Sequence, residues 1–269
     1  MLVSIAHVTR YSLAAPVNYS IESLRLTPPS FDAQQVVSWT IDMPCIDEAV
    51  RFRDCYGNTA HLVVLPKPHQ EISIIARGTV ETRDRAGIAR GLVEIAPMRV
   101  FKRVTAYTAP DEAIRALGAE VGKGEPLEQM HKLMQLIHDR VKYVIGATHA
   151  ATTAAEALKA AEGVCQDHAH IFISAARAMG LSARYVNGYF LTESDEPAEA
   201  HHAWAEVWLD GLGWLGFDPA NKMCPTDRYV RLAVGLDAAS AAPIRGTRRG
   251  GIEEVLDVKV EVQQQSAQQ

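Results

Sequence analysis

Apolar and polar residues alternate in short runs along the first hundred residues of the chain. The runs at 36–41 (VVSWTI) and 71–76 (EISIIA) are rich in β-branched residues, and turns that contain proline, glycine or asparagine flank them. Several short strands separated by such turns are typical of an antiparallel sandwich. We therefore expect residues 1–105 to form a β-rich, sandwich-like N-terminal domain.

The apolar period becomes helical after Pro110. Residues 111–121 and 126–141 carry apolar side chains at the spacing of one helix face, and Thr153 and Glu156 have the spacing of a capping box. A further amphipathic helix begins at Cys165, and Gly180 is placed to end it.

Strand patterns return after this helix. Residues 184–191 read as a strand, and the acidic segment 193–200 predicts a surface loop. Over 202–209, alanine, valine and leucine at odd positions alternate strictly with histidine, tryptophan and glutamate at even positions. The turn at 210–213 leads into a return strand at 214–218. These features predict an antiparallel hairpin.

The remainder of the chain has weaker signals. Residues 256–262 alternate well enough for a last strand, and we expect 263–269 to be a disordered tail. The whole pattern predicts an α+β fold with four parts. They are the N-terminal domain at 1–105, a core domain at 106–225, a C-terminal segment at 226–262 that packs on the body, and the tail.

The composition narrows the class of protein. Apolar residues make up 48% of the 269 residues and charged residues 22%, as in an ordinary globular protein. The net charge of -5 and the pI of about 6.1 argue against nucleic acid as a partner, because phosphate binding needs a positive surface. No apolar run has the roughly 20 residues that a membrane helix needs, and we read no signal peptide at the N-terminus.

The cysteines favour a reducing compartment. Cys45, Cys55, Cys165 and Cys224 form no CxxC pair, and their density is far below that of a disulfide scaffold. We expect a cytoplasmic protein with free thiols. A bridge between Cys45 and Cys55 remains the alternative for an oxidising compartment.

Cys165 is the first candidate for chemistry. A thiol at a helix N-terminus faces unpaired backbone N–H groups and the positive end of the helix dipole, and both stabilise a thiolate. The same N–H groups can stabilise an oxyanion, so the backbone N–H of Cys165 is a candidate donor. The competing interpretation is that Cys165 is a small buried apolar side chain, as most free cysteines on helices are.

The hairpin supplies the partners that a thiol nucleophile needs. Such a nucleophile requires a base, and the base requires a third group that orients it. An antiparallel hairpin brings His202 and Asp218 near one another, and they share a face if the register is even, which the sequence does not fix. Nearby tryptophans, of which Trp204 and Trp214 are two, can either wall a cleft or fill a core.

Three separated segments also carry a resemblance to a family. GVCQDHAH at 163–170, HAWAEVW at 202–208 and GWLGFDPAN at 213–221 resemble the core of the transglutaminase-like superfamily. Its members are papain-like cysteine enzymes in which a helix, packed against an antiparallel sheet, carries the cysteine. Segments such as HVTRY at 7–11 and DCYGN at 54–58 look like the β-rich N-terminal region of the bacterial members.

The resemblance implies an activity and roles for single residues. It makes Cys165 the nucleophile, His202 its base and Asp218 the orienting group of a peptidase or amidase that forms a thioester. The expected substrate is a peptide or isopeptide, with no cofactor and no metal. The first turn of the helix and the tryptophan cluster suggest further substrate contacts, and these are Gln166, Trp204 and Trp214.

Three alternatives remain open. In the first, the thioester passes to an amine instead of water, which would make the protein a transglutaminase. A non-catalytic peptide-binding module is the second alternative. The third is a zinc site that uses Cys165 with His168, His170, His201 or His202, although the spacing matches no standard zinc motif. The oligomeric state is open as well.

Overall fold

The computed structural model describes residues 1–192, 201–250 and 254–265. In chain order, the strands in these ranges are β1 (Leu2–Val17), β2 (Tyr19–Thr27), β3 (Gln34–Asp42), β4 (Val50–Arg53), β5 (Thr59–Leu65), β6 (His69–Thr82), β7 (Ile88–Ala89), β8 (Lys142–Tyr143), β9 (Glu162–Gly163), β10 (Ala183–Phe190), β11 (His202–Leu209), β12 (Gly213–Phe217), β13 (Tyr229–Gly235), β14 (Ile244–Arg249) and β15 (Glu254–Gln264). The α-helices are α1 (Glu112–Glu120), α2 (Pro126–Arg140), α3 (Ala154–Ala160) and α4 (Cys165–Ala178).

Two four-stranded antiparallel sheets, built mainly from the N-terminal part of the chain, form a sandwich. Their strand orders are β15-β1-β6-β3 and β14-β2-β5-β4. Every second residue of β1 is buried between Val3 and Thr9, as expected for a strand with one face on a core. Side chains from both sheets, such as Ile5, Leu24 and Ile74, meet in one apolar cluster. The expected antiparallel sandwich is therefore present.

A third sheet has the order β13-β10-β11-β12-β7 and is also antiparallel. Helix α4 packs against one face of it, where the rings of Phe172 and Phe217 stack with centroids 5.3 Å apart. Ala169 on the helix and Ala205 on β11 are fully buried, and such small side chains let the helix approach the sheet closely. The expected α+β core, with the cysteine helix on an antiparallel sheet, is confirmed.

Local signals predicted the ends of several elements well. The side chain of Asp111 caps α1 and accepts a backbone hydrogen bond at 2.8 Å, and the capping box of Thr153 and Glu156 is formed at α3. Strand β11 has the predicted bounds, and α4 ends just before Gly180, whose φ is 89°. These features depend on residues that are close together in the sequence.

Pairing between distant strands crosses the predicted boundaries at 105 and 225. Strand β7 precedes residue 105, yet it pairs with β12 of the third sheet. Strands β13, β14 and β15 all follow residue 225, and they pair with β10, β2 and β1, respectively. The C-terminal segment is therefore divided between the third sheet and the sandwich, which the pattern within each strand does not reveal.

The predicted disordered tail is wrong at its start. Gln263 and Gln264 belong to β15, where they pair with Ser4 and Val3. Residues 266–269, and the loop predicted at 193–200, lie outside the described residues. Among the residues described, no helix combines the length and the apolar character that crossing a membrane requires.

Candidate active site

Cys165 is the first residue of α4. The residue before it, Val164, donates its backbone N–H to Oδ2 of Asp167 at 2.9 Å, so the aspartate serves the orphan donor at the helix entry. Thr148 holds the same carboxylate oxygen at 2.6 Å. A Cβ on Gly163 would lie 2.7 Å from the Asp167 side chain, so this close approach requires glycine. The segment thus fixes the direction in which Cys165 enters the helix.

The hairpin register brings His202 and Asp218 together. Ala205 pairs with Phe217 and Val207 with Leu215, so residues of equal parity share a face. Nε2 of His202 lies 2.6 Å from Oδ2 of Asp218. The structure therefore supplies the even register that the sequence left open.

The thiol of Cys165 completes this arrangement. Its interaction with the ring of His202 raises the pKa of that histidine, and its sulfur lies 4.0 Å from the backbone oxygen of His201. Since Nε2 of His202 faces Asp218, Nδ1 is the ring nitrogen left for the thiol. Cys165 is buried, with 6% of its surface exposed to solvent. The order thiol, imidazole, carboxylate is that of a nucleophile with an oriented base.

Asp218 lies in a dense set of donors. Its carboxylate is fully buried, and besides His202 it accepts hydrogen bonds from the hydroxyl of Tyr229 and from Nδ2 of Asn221, both at 2.8 Å. Two backbone N–H groups, of Ala220 and Asn221, donate to its other oxygen at 3.0 and 3.2 Å. The burial of a charged carboxylate is tolerable here because both oxygens are satisfied.

The charges of His202 and Asp218 stabilise one another. Burial alone would lower the pKa of His202, but Asp218, and then Cys165, outweigh burial and raise it. Burial alone would raise the pKa of Asp218, but the charge of His202 and the surrounding hydrogen bonds outweigh burial and lower it. Both shifts favour an imidazolium that is paired with a carboxylate.

Sequence reasoning missed Tyr229 and assigned no role to Asn221. Tyr229 begins β13, whose position beside β10 depends on pairing between distant strands. Asn221 follows Asp218 by three residues, and an Asx-type turn after a strand is a local signal that could have suggested a contact. Both residues position Asp218.

The three residues suggested as substrate contacts differ in how exposed they are. Gln166 is partly exposed beside Cys165, and its contact with a substrate stays a prediction. Trp204 is only 2% exposed, and its ring lies almost parallel to that of His202, at 27°. Trp214 is 1% exposed and packs edge-on against Phe101. Trp204 packs beside the imidazole and Trp214 in a core, so both rings are buried, and contact of either with a substrate stays a prediction.

The helix histidines are engaged elsewhere. The ring nitrogens of His168 lie 2.9 and 3.0 Å from the backbone oxygens of Val164 and Val141. Nε2 of His170 accepts a hydrogen bond from the backbone N–H of Ala238 at 3.0 Å. Within the described residues, no group of three or more histidine, cysteine or acidic side chains is arranged to hold a metal ion. These histidines therefore join the helix to its surroundings.

Alkylation of Cys165 should slow below a certain pH, which we call its acid limit. We expect Tyr229→Phe to move this acid limit to higher pH. The carboxylate of Asp218 loses one donor, so its pKa rises and it is protonated sooner as the pH falls. Near neutral pH Asp218 stays ionised in the variant as well, so the rate there should change much less than at low pH. The measurement is the alkylation rate between about pH 2.5 and 8, a range that includes the reference pKa values of carboxyl groups and the values below them.

Tyr189→Phe is the matched control for this variant. It also removes a buried tyrosine hydroxyl, but that group contacts Nδ1 of His7, 3.0 Å away, and not Asp218. An unchanged acid limit in Tyr229→Phe, or an equal shift in both variants, would contradict the assigned role.

Two family models and a full-length relative match this chain. The model of the transglutaminase-like superfamily matches residues 115–219, and that of the bacterial transglutaminase-like N-terminal region matches residues 3–81. An uncharacterized protein of Mycobacterium leprae is 30% identical over 272 residues, which cover 96% of this chain and 97% of that protein. The similarity therefore extends over both the sandwich and the core.

Of two further matches, one covers only part of the chain and the other shows only a shared fold. The protein-glutamine gamma-glutamyltransferase of Pseudomonas aeruginosa is 31% identical over 114 residues, 36% of this chain and 16% of that protein. A solved structure from Cytophaga hutchinsonii, described as a candidate cysteine protease, has a TM-score of 0.74 at 22% identity. It covers 97% of this chain and 90% of that one, and it shows that the fold is shared.

Proposed function

The chain belongs to the transglutaminase-like superfamily, and from this premise we propose that it is a cysteine-dependent enzyme that hydrolyses amide bonds. Cys165 is the nucleophile, His202 the base and Asp218 the group that orients His202. The observation that carries the proposal is the 2.6 Å contact of Nε2 of His202 with Asp218, with the thiol of Cys165 close enough to the same ring to raise its pKa.

The reaction has two halves. The Cys165 thiolate attacks the amide carbonyl carbon, a C–S bond forms, and the electron pair of the carbonyl moves to its oxygen. The imidazolium of His202 then protonates the leaving nitrogen as the C–N bond breaks, and a thioester remains. In the second half His202 takes a proton from water, the hydroxide attacks the thioester, and the free acid and the thiolate are released.

The start of α4 provides a site for the oxyanion. The first N–H groups of a helix have no partner within the helix, and here they include that of Cys165 itself. Such donors are fixed before the reaction and act where negative charge develops. This supports the backbone N–H of Cys165 as one oxyanion donor.

The experiment that tests the proposal is the pH dependence of alkylation by iodoacetamide, with site-specific readout by mass spectrometry. We expect Cys165 to be labelled rapidly even near pH 5, because the raised pKa of His202 keeps an imidazolium beside the thiolate. In His202→Ala the rate at this pH should fall by about a hundredfold. Cys55 is exposed and serves as the internal reference. Slow labelling of Cys165 in both proteins, with the profile of an ordinary thiol, would refute the activated pair.

Transfer to an amine is the second candidate. The relative named protein-glutamine gamma-glutamyltransferase favours it, since the match covers about a third of this chain. Both candidates share the thioester, and they differ in whether water or an amine attacks it. The ratio of free acid to amine adduct, measured with a peptide amide and an added alkyl amine, separates the two.

We further propose a peptide or isopeptide substrate and a cytoplasmic location. The partly exposed Gln166 beside Cys165 suits contact with peptide groups. Cys45 and Cys55 are both free, as are Cys165 and Cys224, and this supports a reducing compartment over the oxidising alternative.

A further inference from the structure

A cavity of about 550 Å³ lies away from Cys165, His202 and Asp218. Both sheets of the sandwich and the face of the third sheet opposite α4 contribute to its walls. Its volume is within the usual range for sites that bind small molecules. None of the three residues of the proposed triad lines it. The cavity is therefore a feature that the proposed reaction does not use.

Positive charge dominates the lining. Arg51 and Arg53 of β4 enter it from the sandwich, and Arg184 and Arg231 enter it from the third sheet. Glu94 is the single carboxylate among the lining residues that the structure describes. The cavity thus brings together arginines from two parts of the fold.

The two deeper arginines already have carboxylate partners. Nε of Arg184 lies 2.6 Å from Glu206, and its Nη1 lies 3.0 Å from Glu94. Nε of Arg231 lies 3.1 Å from Glu206. These two carboxylates balance Arg184 and Arg231, and the strong pairing lowers the pKa of the buried Glu206 to about 2 despite its burial.

The two outer arginines have no such partner. Nη1 of Arg53 donates to the backbone oxygen of Gly57 at 3.0 Å, and in the described part of the chain no carboxylate pairs with Arg51 or Arg53. Two positive charges therefore face the cavity without compensation.

Two residues that line the cavity carry buried polar atoms without a hydrogen-bond partner. Nη2 of Arg184 and Nδ1 of His61 are buried without a hydrogen-bond partner, and both residues line the cavity. Buried polar groups are paired in most proteins, so such atoms need an explanation. An oxyanion accepts several N–H donors at once and would satisfy a set of this kind.

Part of the cavity wall is apolar. It includes Trp39 and Ile41 of β3 together with Leu92. The indole N–H of Trp39 is engaged with the backbone oxygen of Leu26 at 2.7 Å, part of its ring packs over Gly78, and the remaining ring surface lines the cavity. A ligand that fits both walls has an apolar body and one oxyanionic group.

We propose that this cavity binds a small organic anion, with its carboxylate or phosphate against Arg51 and Arg53 and its apolar body against Trp39. The arginine fork matches the geometry of both kinds of oxyanion. This site is separate from the proposed triad, and a ligand here needs no reaction at Cys165.

Calorimetric titration of the full chain with phenyl phosphate tests the proposal. We expect saturable binding that weakens as NaCl is added. In a double variant with Arg51→Gln and Arg53→Gln, the affinity should fall at least about tenfold, because two charge-assisted contacts are lost. Benzoate, titrated in parallel, tells whether a carboxylate or a phosphate is preferred. Absence of saturable binding to the wild type would overturn the proposal.

Arg245→Gln is the matched control. Arg245 is an exposed arginine of β14, in the same sheet as β4, and its loss should leave the affinity within about twofold. Equal affinity in the wild type and the double variant would place the ligand elsewhere and overturn the proposal. Inorganic phosphate that binds as tightly as phenyl phosphate would overturn the role of the apolar wall. Unchanged alkylation of Cys165 in the double variant confirms that the protein remains folded.

Discussion

Cys165→Ala should abolish acyl transfer while the protein stays folded. With a p-nitrophenyl ester as probe, we expect the wild type to release a burst of p-nitrophenol as the thioester forms, followed by slower turnover. The variant should show no burst, and its rate should fall by about four orders of magnitude or more, since loss of a nucleophile removes the covalent route. Stopped-flow absorbance measures both phases.

The structure predicts that folding survives this substitution. Cys165 is the first residue of α4, and the backbone contacts of Val164 with Asp167 hold the helix entry without the thiol. The loss of one buried sulfur atom should lower the free energy of unfolding by about 1 kcal/mol or less. Equal melting temperatures therefore separate loss of chemistry from loss of fold.

Cys224→Ala is the matched control. Cys224 is partly buried, and burial, with a smaller contribution from Asp84, raises the pKa of its thiol to about 11. It should react slowly, and its removal should leave the burst intact. A burst that survives in Cys165→Ala but is lost in Cys224→Ala would identify Cys224 as the nucleophile and refute the proposed triad.

The sequence predicted those parts of the site whose signals are local. Cys165 lies at a helix start that its neighbours specify, and the strict alternation of 202–209 gave β11 with its observed bounds. The return strand and Asp218 follow from the turn at 210–213. For such segments a few adjacent residues decide the backbone conformation, so the pattern can be read directly.

The missed parts depend on pairing between strands that are far apart in the chain. Tyr229 reaches Asp218 because β13 lies beside β10, and Trp214 is buried because β7 and Phe101 cover it. Neither arrangement leaves a trace in the residues on each side of the tyrosine or tryptophan. For the same reason the domain boundaries expected at 105 and 225 do not follow the sheets.

The donors around Asp218 explain how a carboxylate without solvent contact remains charged. Three side chains, those of His202, Asn221 and Tyr229, converge on one oxygen, and two backbone N–H groups serve the other. A neutral acid in this place would leave several of these donors without an acceptor. The site therefore favours ionised Asp218, and this charge is what maintains an imidazolium at His202.

Asp218→Asn isolates the contribution of that charge. The amide is nearly isosteric, but it carries no negative charge, and its NH2 group would face donors. Burial then dominates at His202, so its pKa falls, and at pH 5–6 the thiolate of Cys165 loses its imidazolium partner. We expect turnover to decrease by about three to four orders of magnitude, as for the loss of the orienting carboxylate in other triads. The acid limit of Cys165 alkylation should move to higher pH.

Asp210→Asn provides the matched control, because Asp210 lies at the turn of the same hairpin. Its carboxylate accepts a hydrogen bond from the indole N–H of Trp208 at 3.2 Å. Turnover and the alkylation profile should both remain those of the wild type. If Asp218→Asn lowered only the melting temperature and left the alkylation profile unchanged, Asp218 would be a structural residue. A shifted profile at an unchanged melting temperature instead indicates that Asp218 acts through His202, because a purely structural role would not alter the pH dependence of Cys165 alkylation.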